Sequence, residues 1–283
     1  MSLARVGYGV GRAYLSQVHP VFMLPPLAAS AFGAILAGAD RPALAAVHVL
    51  AMFSAVYTAH VKDGYVDFHV RGEDDDHPLT VRGCRLGLVG ATAAFLASCL
   101  VLASNTTLLA VALTVPTWLV AYAHAPQLDT SPVGATLGYP LGIALAILGG
   151  FAVQTGGLAA VPLGFAAVFL ALLAGIKVID DAQDYAYDRS IGKRTVAVLL
   201  GPARAHDVAY GLMAVALLAV VGLAAVGTFP PTAVLAALAF AAVAAVARRA
   251  GPTLATMLLV RGSYVFLAVL IAAVRFEPLR SLG

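Results

Sequence analysis

The stretch KVIDDAQDYAYDRSIGKRTVAVLLG, residues 177–201, directly follows a long apolar run and contains four aspartates. If the preceding helix continues through it, Asp181, Asp184 and Asp188 lie at i, i+3 and i+7, and Lys177 lies one turn earlier on the same face. Three carboxylates on one helix edge repel each other unless a divalent cation neutralises them. The spacing therefore indicates a metal site. The alternative is a solvated loop between two membrane helices.

Composition defines the class of protein. Of the 283 residues, 61 % are hydrophobic and 11 % are charged, and the net charge is +3. A soluble domain carries about 25 % charged residues, so we expect an all-α polytopic membrane protein whose surroundings are the lipid bilayer, not nucleic acid. The two cysteines, Cys84 and Cys99, show neither metal-ligand nor disulfide spacing. Residues 1–15 show no cleavable signal peptide and are predicted to be a short polar lead.

Nine hydrophobic segments are long enough, or nearly so, to span about 30 Å of hydrocarbon as helices. Three prolines, Pro20, Pro25 and Pro26, predict an irregular start to the first. A polar stretch, residues 63–85, separates the second from the third. The predicted helices cover residues 18–38, 42–62, 86–103, 106–123, 133–153, 158–179, 203–227, 231–247 and 254–274.

The distribution of lysine and arginine predicts the orientation of the nine helices. With a cytoplasmic N-terminus, three basic residues fall on the outer side, namely Arg41, Arg275 and Arg280. The other fourteen fall on the cytoplasmic side: Arg5, Arg12, Lys62, Arg71, Arg82, Arg85, Lys177, Arg189, Lys193, Arg194, Arg204, Arg248, Arg249 and Arg261. Because basic residues favour the cytoplasmic side, this asymmetry supports nine crossings and places both acidic stretches in the cytoplasm.

The first acidic stretch is HVKDGYVDFHVRGEDDDHPLTVRG, residues 60–83. Asp63 and Asp67 lie at i and i+4 at the end of the second predicted helix and share a face. Together, the two stretches contain ten of the fourteen acidic residues of the chain. Mg²⁺ binds a few carboxylates together with phosphate oxygens and water. Two facing carboxylate clusters could therefore hold Mg²⁺ against a diphosphate while the apolar bundle houses a hydrocarbon tail.

These features resemble the UbiA superfamily of intramembrane prenyltransferases along nearly the whole chain. That family has nine transmembrane helices around a central cavity, with Asp-rich motifs after helices 2 and 6. The second motif here, Asp181-x-x-Asp184-x-x-x-Asp188 followed by Gly192, Thr195 and Gly201, matches the family pattern. The resemblance implies that Asp181, Asp184 and Asp188 bind Mg²⁺, and that residues 1–283 form a single UbiA-like domain.

The first motif departs from the family's Asn-Asp-x-x-Asp-x-x-x-Asp. Asp63 stands at the Asn position, Asp67 matches, and Arg71 occupies the place of the last Asp. The resemblance implies metal binding by Asp63 and Asp67, and Asp74 or Asp75 could supply the missing carboxylate. It also makes Asp67, Asp184 and Asp188 the expected catalytic residues.

A second departure follows helix 4, where the family commonly has a tyrosine and then a basic residue near the diphosphate. Tyr122 is present here, but no lysine or arginine follows it. The expected substrate-binding residues are therefore Tyr122 together with Lys62, Arg71, Lys177, Lys193 and Arg194.

The resemblance implies a Mg²⁺-dependent enzyme that ionises an isoprenyl diphosphate and transfers the prenyl group to a lipophilic or aromatic acceptor. One alternative is a terpene cyclase of the same superfamily, in which double bonds of the substrate capture the cation. Another is a cation transporter, which requires ionisable residues deep within its helices. The third, fifth, seventh and eighth predicted helices have almost none, so the sequence favours the enzyme.

Overall fold

The computed structural model describes residues 3–73 and 76–276, and within these ranges it contains helices but no strands. The α-helices are α1 (Leu3–Leu15), α2 (Pro20–Leu36), α3 (Pro42–Gly64), α4 (Val81–Asn105), α5 (Leu108–Ala123), α6 (Pro132–Thr155), α7 (Ala160–Gln183), α8 (Tyr185–Ser190), α9 (Val196–Leu200), α10 (Pro202–Ala225), α11 (Ala233–Ala247) and α12 (Pro252–Phe276). Two π-helical segments, Tyr65–Arg71 and His124–Leu128, continue α3 and α5.

Seven helical segments in the described part of the chain are long and apolar enough to cross a membrane. They are Pro42–Arg71, Val81–Asn105, Leu108–Leu128, Pro132–Thr155, Ala160–Gln183, Pro202–Ala225 and Pro252–Phe276. The chain is therefore an integral, multi-pass membrane protein. Helices occupy all nine predicted segments, but α2 and α11 have only 17 and 15 residues. Nine crossings therefore stay a prediction, and an eighth follows if α2 and the end of α1, bent by 62°, form one span.

Three local predictions differ from the structure. The predicted polar lead is helical, because α1 begins at Leu3. The second predicted helix extends beyond residue 62 to Arg71 and ends only at Gly72, whose φ of 66° breaks the helix. A single helix through all three aspartates of the second motif is wrong: α7 ends at Gln183. Asp184 interrupts the helix with φ −93° and ψ 14°, and its carbonyl then accepts the Asp188 N–H at 2.8 Å as α8 begins.

Helices α6 and α7 form the centre of the bundle. In each, 67 % of the apolar stretch is buried inside the protein, against 22–39 % in the other five spans. Glycines allow α2 to approach α6 closely, because a Cβ at Gly33 would overlap the carbonyl of Ile147, and a Cβ at Gly150 would overlap the carbonyl of Ser30. Small residues are a common means of bringing membrane helices into backbone contact.

Contacts between loops define one end of the bundle. The Arg41 N–H donates to Gln154 Oε1 at 2.7 Å, and Thr107 Oγ1 donates to the Gly156 carbonyl at 3.1 Å. The loops before α3, before α5 and after α6 therefore meet at this end. Both acidic segments follow the opposite ends of their helices, α3 and α7.

Candidate metal and diphosphate site

An acidic pocket of about 170 Å³ lies where the ends of α3 and α7, the α5–α6 link and the segment around α8 converge. All five predicted metal-binding aspartates line it, so the fold brings both acidic motifs to one place. Its charged and polar lining residues are Asp63, Asp67, His124, Asp129, Lys177, Asp181, Asp184, Asp188, Lys193 and Thr195.

Asp181 is the most constrained carboxylate on the α7 side of the pocket. It is only 5 % exposed, and its Oδ1 lies 2.6 Å from Lys177 Nζ, which also contacts Asp180 Oδ2 at 2.9 Å. The second oxygen, Asp181 Oδ2, is buried and has no hydrogen-bond partner. An unpaired, buried carboxylate oxygen is costly, so this atom suits a cation ligand.

Asp188 approaches the pocket from α8 and is 4 % exposed. Burial raises the pKa of its carboxyl group and the nearby Asp181 carboxylate raises it further, whereas Lys193 opposes both effects. Lys193 Nζ lies 3.7 Å from Asp188 Oδ1. Gly192, with φ 75°, turns the chain so that the Lys193 N–H donates to the Asp188 carbonyl at 2.9 Å. This turn places a lysine beside the aspartates.

Asp129 is a pocket residue that sequence reasoning missed. Its Oδ2 accepts from Arg71 Nη2 at 2.6 Å, and its Oδ1 is buried without a partner. Arg71 also contacts Asp67 at 3.4 Å and Glu73 at 3.6 Å. Thus the arginine that replaces the last aspartate of the first motif is neutralised by a carboxylate from the α5–α6 link. The sequence contained one sign of this role, since Asp129 is an aspartate in a link on the predicted cytoplasmic side.

The structure places several predicted substrate-binding residues outside the pocket. Lys62 is 7 % exposed; its ammonium group bonds to the Tyr122 carbonyl and to Gln127 Oε1 and lies 3.9 Å from the centre of the Tyr122 ring. Lys62 and Tyr122 line neither this pocket nor the larger cavity beside it, and the same holds for Arg194, which is exposed. Of the six predicted residues, only Lys177 and Lys193 line the pocket. Asp74 and Asp75 lie outside the described residues.

A second cavity, of about 720 Å³, adjoins the acidic pocket. Asp63, Asp67, His124 and Lys177 line both cavities, so the large chamber begins at the carboxylates. Its remaining walls come mostly from apolar residues of α2, α3, α5, α6, α7 and α12. Two histidines, His19 and His60, lie in its wall with their ring centres 4.9 Å apart and their ring planes tilted by 38°. The arrangement suits a ligand with an anionic head and a long apolar tail.

The residues present fit Mg²⁺. Six carboxylates line the acidic pocket, and two of their oxygens, on Asp129 and Asp181, are buried without partners. Mg²⁺ prefers such oxygen ligands and leaves positions for phosphate oxygens and water. Lys177 and Lys193 supply further positive charge for an anionic ligand. The fold and the pocket thus define a helical, multi-pass membrane protein with an acidic pocket that adjoins an apolar chamber.

No protein-family model and no curated protein matches the sequence. Solved structures do match the fold. A UbiA homolog from Archaeoglobus fulgidus bound to GPP and Mg²⁺ has a TM-score of 0.71 and 19 % identity, over 93 % of this chain and 99 % of that one. The apo UbiA homolog from Aeropyrum pernix K1 has a TM-score of 0.70 and 17 % identity, over 94 % of this chain and 100 % of that one.

Digeranylgeranylglyceryl phosphate synthase has a TM-score of 0.74 and 12 % identity, over 94 % of this chain and 99 % of that chain. The chain therefore has the fold of the UbiA superfamily, as the two aspartate motifs predict.

Proposed function

We propose that the chain is a Mg²⁺-dependent intramembrane prenyltransferase that acts on an isoprenyl diphosphate. One observation carries the proposal: five predicted metal-binding aspartates and two lysines line a pocket that adjoins a 720 Å³ apolar chamber. The A. fulgidus homologs bound to GPP and Mg²⁺ and to DMAPP and Mg²⁺ support it. The whole chain, 1–283, then acts as one domain.

In this proposal the diphosphate of the substrate lies in the acidic pocket and its prenyl chain lies in the apolar chamber. Asp63, Asp67, Asp181, Asp184 and Asp188 hold Mg²⁺, which supplies the positive charge that stabilises a departing diphosphate. Lys177 and Lys193 bind diphosphate oxygens. The chamber buries the prenyl chain and excludes water from the allylic carbon.

The reaction breaks the bond between C1 of the prenyl chain and oxygen, and diphosphate leaves with the electron pair. The resulting allylic cation is captured by the electrons of a nucleophilic acceptor, which loses a proton as the new bond forms. The acceptor is lipophilic or aromatic, because it has to reach C1 within the membrane. If double bonds of the substrate itself capture the cation, the enzyme is instead a terpene cyclase.

The distribution of lysine and arginine supports one orientation of the chain in the membrane. Fourteen basic residues lie on one predicted side and three on the other, which favours a cytoplasmic N-terminus and cytoplasmic Asp-rich segments. Nine crossings belong to this proposal. Soluble diphosphate would then leave the site into the cytoplasm.

Purified protein incubated with labelled prenyl diphosphates of several lengths tests the activity. Each reaction is run with Mg²⁺, with chelator, and with or without pooled lipophilic and aromatic acceptors, followed by mass spectrometry. Mg²⁺-dependent diphosphate release together with a product that requires acceptor supports the transferase. A rearranged hydrocarbon formed without acceptor identifies a cyclase, and absence of diphosphate release under all conditions contradicts both.

A further inference from the structure

Away from the acidic pocket, three potential soft-metal ligands converge on one backbone carbonyl. His69 lies on the π-helical segment after α3, His77 lies on the following loop, and Cys84 lies in the first turns of α4. One ligand atom from each lies within 4.8 Å of those of the other two. The sequence did not reveal this group, because Cys84 and Cys99 have no metal-ligand spacing and the histidines lie in a segment dominated by carboxylates.

The Leu79 carbonyl oxygen lies near all three members of the group. His69 Nε2 and His77 Nδ1 are each 3.0 Å from it, and Cys84 Sγ is 3.9 Å from it. A carbonyl oxygen has two lone pairs, which His69 Nε2 and Cys84 Sγ can occupy. His77 Nδ1 accepts the Leu79 N–H at 3.2 Å, which leaves the ring proton on Nε2, and Nε2 is buried without a hydrogen-bond partner. One polar atom of the group is therefore left unsatisfied.

The distances are close to those of ligands around one tetrahedral ion. Zn²⁺ bonds of about 2.0–2.3 Å separate tetrahedral ligand atoms by about 3.3–3.8 Å. The distances of 3.0–3.9 Å from the Leu79 oxygen bracket this range. The limit of 4.8 Å between side-chain atoms exceeds it by about 1 Å, so binding would require small side-chain rotations. His77 presents Nδ1 to the group, because its Nε2 points at Gly64. A Cβ added at Gly64 would lie only 2.5 Å from His77 Nε2.

The surroundings favour a soft cation rather than Mg²⁺. Cys84 is 0 % exposed and belongs to an apolar cluster with Val61 and Leu79. Tyr14, Tyr57 and Tyr65 pack against that cluster. The candidate ligands are two imidazoles, one sulfur and one carbonyl, with no carboxylate among the members of the group. His69 and His77 are half-buried, and His77 also lines the 720 Å³ chamber, whereas Cys84 is fully buried. Nitrogen and sulfur ligands of this kind are typical of structural Zn²⁺ sites.

We propose that His69, His77 and Cys84, with the Leu79 carbonyl, form a structural Zn²⁺ site. The Cys84 thiol loses its proton when the metal binds. The ion would connect the π-helical segment, the loop at residues 76–80 and the start of α4. Because Asp67 lies on the same π-helical segment as His69, the site would also fix the backbone that presents Asp67 to the acidic pocket. This proposal does not depend on the proposed prenyltransferase activity.

Cobalt spectroscopy on the purified, full-length protein tests the proposal. The protein is stripped of metal, and excess Mg²⁺ is kept present so that Co²⁺ does not occupy the oxygen-lined pocket. One equivalent of Co²⁺ should produce the near-ultraviolet charge-transfer band of a cobalt–thiolate bond and visible bands of tetrahedral Co²⁺, and Zn²⁺ should remove both. Absence of the charge-transfer band in the wild-type protein overturns the site and leaves two imidazoles that only bond to Leu79.

Two cysteine variants form the matched pair. Cys84→Ala should abolish the charge-transfer band, whereas Cys99→Ala, another buried cysteine of α4, should retain it. A band that persists in Cys84→Ala contradicts the assignment. His69→Gln and His77→Gln should each weaken Co²⁺ binding at least about 10-fold. Unchanged binding in both would also contradict it.

Thiol alkylation tests the site without altering any proposed ligand. In Cys99→Ala protein, Cys84 is the one remaining thiol of the chain. Zn²⁺ should slow alkylation of Cys84 at least about 10-fold, since the metal-bound sulfur is not free to react. Equal rates with Zn²⁺ and with chelator would overturn the proposal even if Cys84→Ala failed to fold.

Discussion

Arg71 and Asp129, 58 residues apart in the chain, form an ion pair with 2.6 Å between Nη2 and Oδ2. The pair sits at the edge of the acidic pocket, where Arg71 also contacts Asp67. An arginine replaces the last aspartate of the first motif, and an aspartate from the α5–α6 link lies beside it. The pocket therefore retains a carboxylate near this position, but on another segment.

Exchanging the two charges tests this relationship. Arg71→Asp alone would place a carboxylate against Asp67, Glu73 and Asp129, and Asp129→Arg alone would oppose two guanidinium groups. We expect each single variant to lower diphosphate release at least about 100-fold, because a partly buried charge loses its partner. The double variant should recover to within about tenfold of wild type, as coupled neighbours do. A double variant no better than the worse single one would show that the pairing does not matter.

The aspartates of the second motif should be individually essential. Asp184→Asn and Asp188→Asn remove one negative charge each while keeping the side-chain shape. We expect each to reduce Mg²⁺-dependent turnover at least about 100-fold, the effect of losing one important electrostatic element. Asp207→Asn is the control, since Asp207 is exposed on α10 and lines neither cavity. Full activity in Asp184→Asn or Asp188→Asn would remove that residue from the site.

Substitution of three lysines should have two different effects, one on the KM for prenyl diphosphate and the other on stability. Lys177 and Lys193 line the acidic pocket, so Lys177→Met and Lys193→Met should raise the KM for prenyl diphosphate about tenfold or more through lost charge pairing. Lys62 instead holds the Tyr122 carbonyl and Gln127. Lys62→Met should lower the thermal stability of the protein in detergent and leave that KM within about twofold. A large KM increase in Lys62→Met would return Lys62 to the diphosphate site.

The close approach of α2 to α6 predicts sensitivity at Gly33. Gly33→Val places methyl groups where the Ile147 carbonyl lies, and overpacking of this kind costs about 1–3 kcal/mol or more. The expected result is a lower unfolding temperature in detergent. Gly90→Val is the matched control, because Gly90 is an exposed helical glycine with no atom within 4 Å of an added Cβ. Equal stability of the two variants would contradict the packing described for α2 and α6.

The proposed orientation can be read from thiol labelling in oriented vesicles. In a Cys84→Ser, Cys99→Ala background, single cysteines replace Asp76, Arg194 or Gly157. An impermeant reagent should label positions 76 and 194 from the cytoplasmic side and position 157 from the opposite side, as the distribution of basic residues predicts. Labelling of positions 76 and 194 from different sides would contradict the nine-crossing topology.

The sequence by itself determined the class of protein and the positions of most helices. Hydrophobic runs such as 133–153 and 158–179 are local properties of the chain, because a membrane helix satisfies its own backbone hydrogen bonds and needs only an apolar exterior. The structure confirms helices at these positions. The helix pattern and the two aspartate motifs together also predicted the superfamily whose fold the chain has.

Only the tertiary structure decided which charges meet. Lys62 and Lys177 are equivalent in the sequence, each basic and near an aspartate, yet one holds a backbone carbonyl and the other lines the acidic pocket. Asp129 and Cys84 gain their partners from other segments of the chain. Periodicity determines which face of a helix a residue occupies, but the partner of a buried charge or thiol depends on how separate helices pack, and no local pattern in the sequence records that distance.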